Sequence, residues 1–335
     1  MASDKRKPAP RPIAKAPTRT GALSFWATEQ VPEGVEFTGV LRTPGARPLI
    51  GILGVIIGIG SFFAFTPLLT QLLAVAYWLA TGRATTFPET YKTLLSYEVP
   101  FGMVAAQLGI ALLIPISAAV ILTIHHVRPA YLFSVRPGLR WRALFIFLPV
   151  AFVALNAVLL LQNALAGRPF VLQPQEGFVG FLIAILLTSP LQAAAEEVFF
   201  RGYLLQALGS LASSKWVGIV GSAFVFALFH GTQNAWLFGS RFAFGVLAAL
   251  LVVYLGGLEA GIAAHIVNNM CAFVYAGLST GIATLKATTE VTPMDAVGEV
   301  VMYAVFTLAA LGVGRALRLR SRTSASGLGE VKTVR

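Results

Sequence analysis

The chain has 335 residues, of which 56% are hydrophobic and only 12% charged, with a formal net charge of +11. That charged fraction is about half of what an ordinary soluble domain carries, which excludes a soluble globular enzyme, and the lack of alternating apolar segments of about 10 residues excludes a membrane β-barrel. The basic residues form no stripe interleaved with aromatics, so the charge does not read as nucleic-acid binding, and the single cysteine, Cys271, excludes an intramolecular disulfide or a cysteine metal knuckle.

Residues 1–48 place Lys5, Arg6, Lys7, Arg11, Lys15 and Arg19 among Pro8, Pro10, Pro12 and Pro17, a composition predicted to remain a disordered tail. The first apolar run begins only at Leu49 and is too long for the core of a signal peptide, so no cleavage is expected. Apolar runs read as spans then recur at residues 49–81, 101–124, 143–165, 178–208, 216–232, 242–256, 260–278 and 296–313. The fold class expected is therefore all-α: a polytopic transmembrane helix bundle of about eight spans over residues 49–314, followed by a basic tail at 315–335. Pro67 is expected to kink the first span, and Trp78 stands where an aromatic belt would lie. Gly54 and Gly58, four residues apart, predict close helix packing rather than a phosphate loop, which would need a following Lys-Ser or Lys-Thr. His125 and His126 sit in a basic connector without an acidic or cysteine partner and read as a solvated interfacial pair.

With both termini placed in the cytoplasm, twenty basic residues fall on that side, Arg201 and Lys215 counted among them, and five on the other. This positive-inside bias predicts an integral protein of the plasma (inner) membrane with both termini cytoplasmic.

Against this apolar background Glu196, Glu197 and Arg201 stand out, because a charge at the bilayer centre costs roughly 2.5–3.5 kcal/mol on insertion scales. On a helix Glu197 and Arg201 are four apart and can neutralise each other. Glu196 projects about 100° away and has Gln192, not a cation, at its own four-residue position. An uncompensated carboxylate in a poorly solvated site suits a general base or acid, and a structural ion-pair cluster is the alternative. Two later spans carry Phe226 with His230, and His265 with Asn269, again at four-residue spacing. His265 and Asn269 thus share a face from which both can donate hydrogen bonds to one developing oxyanion, unless the histidines merely pack.

The ordered set of these three segments resembles the CPBP family of intramembrane proteases, which includes the CAAX prenyl proteases of the Ras-converting type and bacterial bacteriocin-processing or self-immunity proteins. The family pattern, EExxxR, then FxxxH, then HxxxN or HxxxD, is matched by Glu196, Glu197 and Arg201, by Phe226 and His230, and by His265 and Asn269, within a core of about residues 187–276. The resemblance implies that Glu196 with His230 activates a water for attack on a peptide carbonyl. It further implies that His265 and Asn269 stabilise the oxyanion and that Glu197 with Arg201 holds the geometry. The implied fold is an eight-helix bundle with a polar cavity reached from the cytoplasmic side and laterally from lipid. The implied substrate is a hydrophobic, membrane-associated or lipidated peptide.

No cofactor is required by a glutamate mechanism, although two histidines and two glutamates leave open a zinc site of the three-ligand-plus-water kind. HExxH spacing is missing and Arg201 would repel a cation, which favours the metal-independent reading. Two non-protease readings remain: an immunity or scaffold protein that keeps the cluster for packing, and a proton-coupled transporter, for which no matched broken helices are found in two halves.

Overall fold

The computed structural model describes residues 28–324. The parts of the expected tails at 1–27 and 325–335 lie outside these residues. Twelve α-helices follow in chain order: α1 Pro48–Ala80, α2 Phe87–Leu95, α3 Pro100–Ala111, α4 Leu113–Thr123, α5 Trp141–Leu165, α6 Phe178–Glu196, α7 Leu205–Leu211, α8 Lys215–Leu228, α9 Ala235–Leu255, α10 Glu259–Gly277, α11 Ile282–Lys286 and α12 Pro293–Ala316. A π-helical stretch, Glu197–Leu204, joins α6 to α7. Among the described residues no strand forms, only two isolated bridges, Glu36 with Arg322 and Ser134 with Gly257.

Each of the eight expected spans corresponds to a helix or a run of helices. Six are long and apolar enough to cross a membrane: α1, α3 continued by α4, α5, α6 through α7, α9 and α12. The two others depart for physical reasons. Helix α8 has only 14 residues, and α10 gives up apolar character to Glu259, His265, Asn268 and Asn269. Helix α9 begins at Ala235, well before the expected boundary, because the Asn234 side chain caps it by accepting from Leu237 N–H. The interruption between α3 and α4 falls at Leu112, where Pro115 can neither donate to the Ala111 carbonyl nor avoid it sterically.

Helix α1 is amphipathic by size rather than by polarity. Gly51, Gly54, Gly58, Thr66, Thr70 and Ala74 face inward, while Leu49, Ile52, Leu53, Ile56, Phe63 and Leu72 are exposed. Small inward residues allow close backbone approach where there is no water to drive association. A side chain at Gly58 would meet the Tyr203 ring at 2.9 Å, and one at Gly54 would meet both His125 Nε2 and the Tyr203 hydroxyl at 2.5 Å, so the pair does serve packing.

The connectors sort into two ends. At one, residues 28–47, 124–140, 212–214, 256–258 and 317–324 tie together. Val135 N–H donates to the Gly256 carbonyl, Leu258 N–H to Phe133, Gly34 N–H to Thr323, and the Arg42 guanidinium to the carbonyls of Gly209 and Ala212. Gly256 is irreplaceable here, having φ +69° and the Arg320 carbonyl where a Cβ would stand. Residues 28–47, expected within a disordered tail, instead bury Phe37, Val40 and Leu41 in the core. Their apolar surface is what holds the segment down. The opposite end gathers residues 81–99, 166–177, 229–234 and 278–292. There Gln175 N–H donates to Gly277, Gln173 N–H to Leu278 and Asn234 N–H to Thr289.

Candidate active site

Glu196 closes α6 and Glu197 opens the π-helical stretch. Such a bulge re-aims successive side chains and is common at functional positions. Glu197 and Arg201 are both fully buried with Arg201 Nη1 3.0 Å from Glu197 Oε1, so the expected pair forms. Arg201 is a core residue, not a member of a basic connector as the charge count had it. Its guanidinium carbon lies 3.9 Å from the centroid of the Phe226 ring, 5.1 Å from that of Phe244 and 5.9 Å from that of Phe200. Aromatic faces supply the negative potential that water supplies elsewhere, and Nε and Nη2 have no other acceptor.

Helix α10 comes against this pair at Gly261, where a Cβ would stand 2.9 Å from Glu197 Oε2. That close approach delivers His265 between the two acids, with Nδ1 2.9 Å from Glu197 Oε1 and Nε2 3.3 Å from Glu196 Oε2. A carboxylate accepts, so Nδ1 carries a proton. The Glu196 oxygen and Nε2 attract only with a second proton between them. The N-terminus of α10 is itself fixed by buried Glu259, whose carboxylate accepts from the Arg140 backbone N–H at 2.8 Å and from its Nε at 2.9 Å.

One turn beyond His265, Asn269 Nδ2 donates to Gln192 Oε1 at 2.9 Å, and Gln192 Nε2 donates to Glu196 Oε1 at 2.7 Å. Glu196, Gln192, Asn269 and His265 thus close a ring of contacts between α6 and α10. His230 stands just past the end of α8, and its Nδ1 donates to the Phe226 carbonyl at 2.8 Å, which leaves Nε2 with a free lone pair. The Phe226 ring separates the two imidazoles, 4.6 Å from His230 and 6.1 Å from His265 between centroids.

A cavity of about 550 Å³ is lined by Glu196, His230, His265 and Asn269 together with Phe62, Tyr97, Gln107, Gln192, Arg241 and Lys286. The structure therefore gathers all four exposed-to-cavity candidates at one place, while Glu197 and Arg201 lie behind them. Both oxyanion candidates already have partners, His265 the two acids and Asn269 the Gln192 amide. Gln107, Arg241, Lys286 and Tyr97 were not singled out from the sequence. Arg241, a charge within an apolar run, was the one legible signal among them. A larger groove of about 760 Å³, between α5, α10 and α12, touches none of the motif residues.

Comparison with known proteins agrees with the motif set. Residues 178–271 match the family described as type II CAAX prenyl endopeptidase Rce1-like. The uncharacterized protein YyaK of Bacillus subtilis (strain 168) is 30% identical over 168 residues, 47% of this chain and 56% of that protein. The chain thus spans about half the length of the curated relative it matches. No solved structure matches. The matched segment carries Glu196, Glu197, Arg201, His230, His265 and Asn269, so over residues 178–271 this membrane-integral chain is similar to the Rce1-like family.

Proposed function

We propose that the chain is an intramembrane endopeptidase that hydrolyses peptide bonds of membrane-associated or lipidated substrates with water activated by Glu196. The observation that carries this reading is the placement of the Glu196 carboxylate, without a Lys or Arg ion-pair partner among the described residues, against His265 Nε2, 3.3 Å away, inside a cavity that His230 also lines.

When the proton between Glu196 and His265 rests on the imidazole, Glu196 is a base and Nε2–H is a donor. Water then attacks the scissile carbonyl carbon, a C–O bond forms, and the water proton passes to Glu196. His230, with Nε2 free, holds that water from the other side. The carbonyl oxygen, now an oxyanion, takes hydrogen bonds from His265 Nε2–H and from Asn269 Nδ2–H, which exchanges the Gln192 carbonyl for the substrate. As the C–N bond breaks, the proton on Glu196 leaves with the amine. Glu197 and Arg201 position His265 and do not touch substrate.

The proposed reaction needs no metal. Among the described residues no three His, Cys, Asp or Glu side chains are arranged to hold an ion. The Arg201 charge beside Glu197 opposes a second cation there. The fixed cation beside Glu197 favours the metal-independent reading over a zinc site.

The test compares new peptide N-termini in membranes of cells expressing the wild-type chain or Glu196→Gln at equal levels. Peptide ends present only with the wild-type chain are expected. Identical sets from both would favour the rival reading, a scaffold or immunity protein in which the polar cluster only packs helices.

A further inference from the structure

We infer that Arg241 and Lys286 form an anion-recognition site in the wall of the Glu196 cavity, which takes a carboxylate carried by the substrate and so sets which bond faces Glu196. That the ligand is a substrate rests on the endopeptidase reading. That it is an anion does not.

Arg241 stands in α9, within an apolar run, where a charge is expensive unless a partner or a task holds it. Its Nη1 donates to Gln233 Oε1 at 2.7 Å, and Gln233 is itself anchored by its Nε2, which donates to the Ala227 carbonyl at 2.6 Å. The amide aims the guanidinium without neutralising it. Among the described residues Arg241 enters no ion pair. Glu299 attracts it from α12 but lines the separate groove between α5, α10 and α12. Nε and Nη2 therefore keep donors for a ligand in the planar fork that suits a carboxylate.

Lys286 reaches the same cavity from α11, with its ammonium 5.1 Å from the centroid of the Tyr97 ring, whose face attracts a cation. It too enters no ion pair among the described residues. Tyr97 is an uncommon choice for its place. It follows α2 with φ +57°, a left-handed conformation ordinarily given to glycine, yet its side chain is buried in the cavity wall. Glycine would relax the backbone and remove the ring. The chain keeps the ring, and the ring holds Lys286 beside the cavity.

Charge across the cavity points the same way. Of the ionised side chains on its lining, Glu196 is the one acid and Arg241 and Lys286 are two cations, a net of one positive charge while the histidines are neutral. Glu196 attracts both cations, and Arg241 repels Lys286. A single carboxylate between the two cations relieves that repulsion and balances the wall. Its fixed position then places the peptide on Glu196.

The experiment measures binding to the full chain in detergent, in a Glu196→Gln background so that no probe is consumed. The probes are N-palmitoylated tetrapeptides of one apolar sequence in three forms: free acid, C-terminal amide, and C-terminal amide with one residue replaced by Asp. At least one anionic form is expected to bind about 10-fold or more tighter than the neutral amide, and the advantage should vanish in Arg241→Gln. Lys286→Glu, on an exposed connector residue, should abolish it even if Arg241→Gln fails to fold. A gain for the free acid alone assigns the site to a chain terminus, and a gain for the Asp form alone to an acidic side chain. Equal affinity of all three probes, no binding of any, or a preference that survives the substitutions would overturn the inference. With Glu196 restored, an anionic probe that binds with the expected preference but stays uncut leaves the anion site standing and fails the endopeptidase reading. Charged and neutral probes cut with equal kcat/KM would do the reverse.

Discussion

The carboxylate of Glu197 and the guanidinium of Arg201 lie 3.0 Å apart with neither side chain exposed. Removing one partner leaves an uncompensated charge in a medium without water. Arg201→Met is accordingly expected to cost about 3–5 kcal/mol and to lower the melting temperature of the detergent-solubilised protein markedly. The double variant Glu197→Gln/Arg201→Met should recover part of that loss, because no lone charge remains. A double variant less stable than the single one would show that the pair does not act as a unit.

Gly261 is required by distance rather than by backbone angle. A methyl group there would meet Glu197 Oε2 at 2.9 Å and push α10 away from α6. Gly261→Ala is expected to destabilise by about 1–3 kcal/mol and to depress cleavage further than the stability loss explains, since His265 and Asn269 ride on the displaced helix. Kinetics at a temperature where the variant is fully folded separate the two effects.

The contact between Glu259 and Arg140 anchors the same helix from its other end. With Glu259 fully buried, Glu259→Ala strands the Arg140 backbone N–H and guanidinium, at about 3 kcal/mol or more. Glu259→Gln, which keeps an acceptor for the backbone N–H, should lose less. Equal losses in thermal unfolding would argue that the charge alone matters.

His125, beyond the end of α4, gives a pH signature. Burial, and secondarily the neighbouring His126, hold its pKa down to about 4 from an ordinary 6.5, and its neutral Nε2 lies 3.2 Å from the Tyr203 hydroxyl. Between these values the unfolded chain binds the proton and the folded chain does not. Stability is therefore full above about pH 6.5 and falls as the pH drops toward 4. Melting temperature against pH should decline in that window and flatten in His125→Gln. An unchanged slope would assign the decline to other groups.

Much of this site was legible because helical periodicity is rigid. Four-residue spacing alone placed Glu197 against Arg201 and put His265 and Asn269 on one face, and both relations hold. Convergence of the three segments followed from the cost of leaving polar groups in lipid. What stayed hidden depends on partners distant in sequence. Gln192 was visible only as the neighbour of Glu196, not as the bridge to Asn269, and the π-helical stretch has no local signature. Phe37, Val40 and Leu41 were diluted by the polar, Pro-containing composition around them, so their burial was missed. Arg201 entered the count of exposed basic residues because connector boundaries cannot be read to the residue from hydropathy.

The most direct measurement is the rate of peptide-bond cleavage by purified protein in lipid vesicles, after exhaustive metal removal, for the wild-type chain and Glu196→Gln. Gln keeps the shape of the side chain and a partner for Gln192 but cannot take a proton from water. The wild-type chain should keep its rate without metal, while the variant should fall by about 10²–10⁴-fold with an unchanged melting temperature. A variant that cleaves as fast as the wild-type chain would contradict a glutamate-activated water.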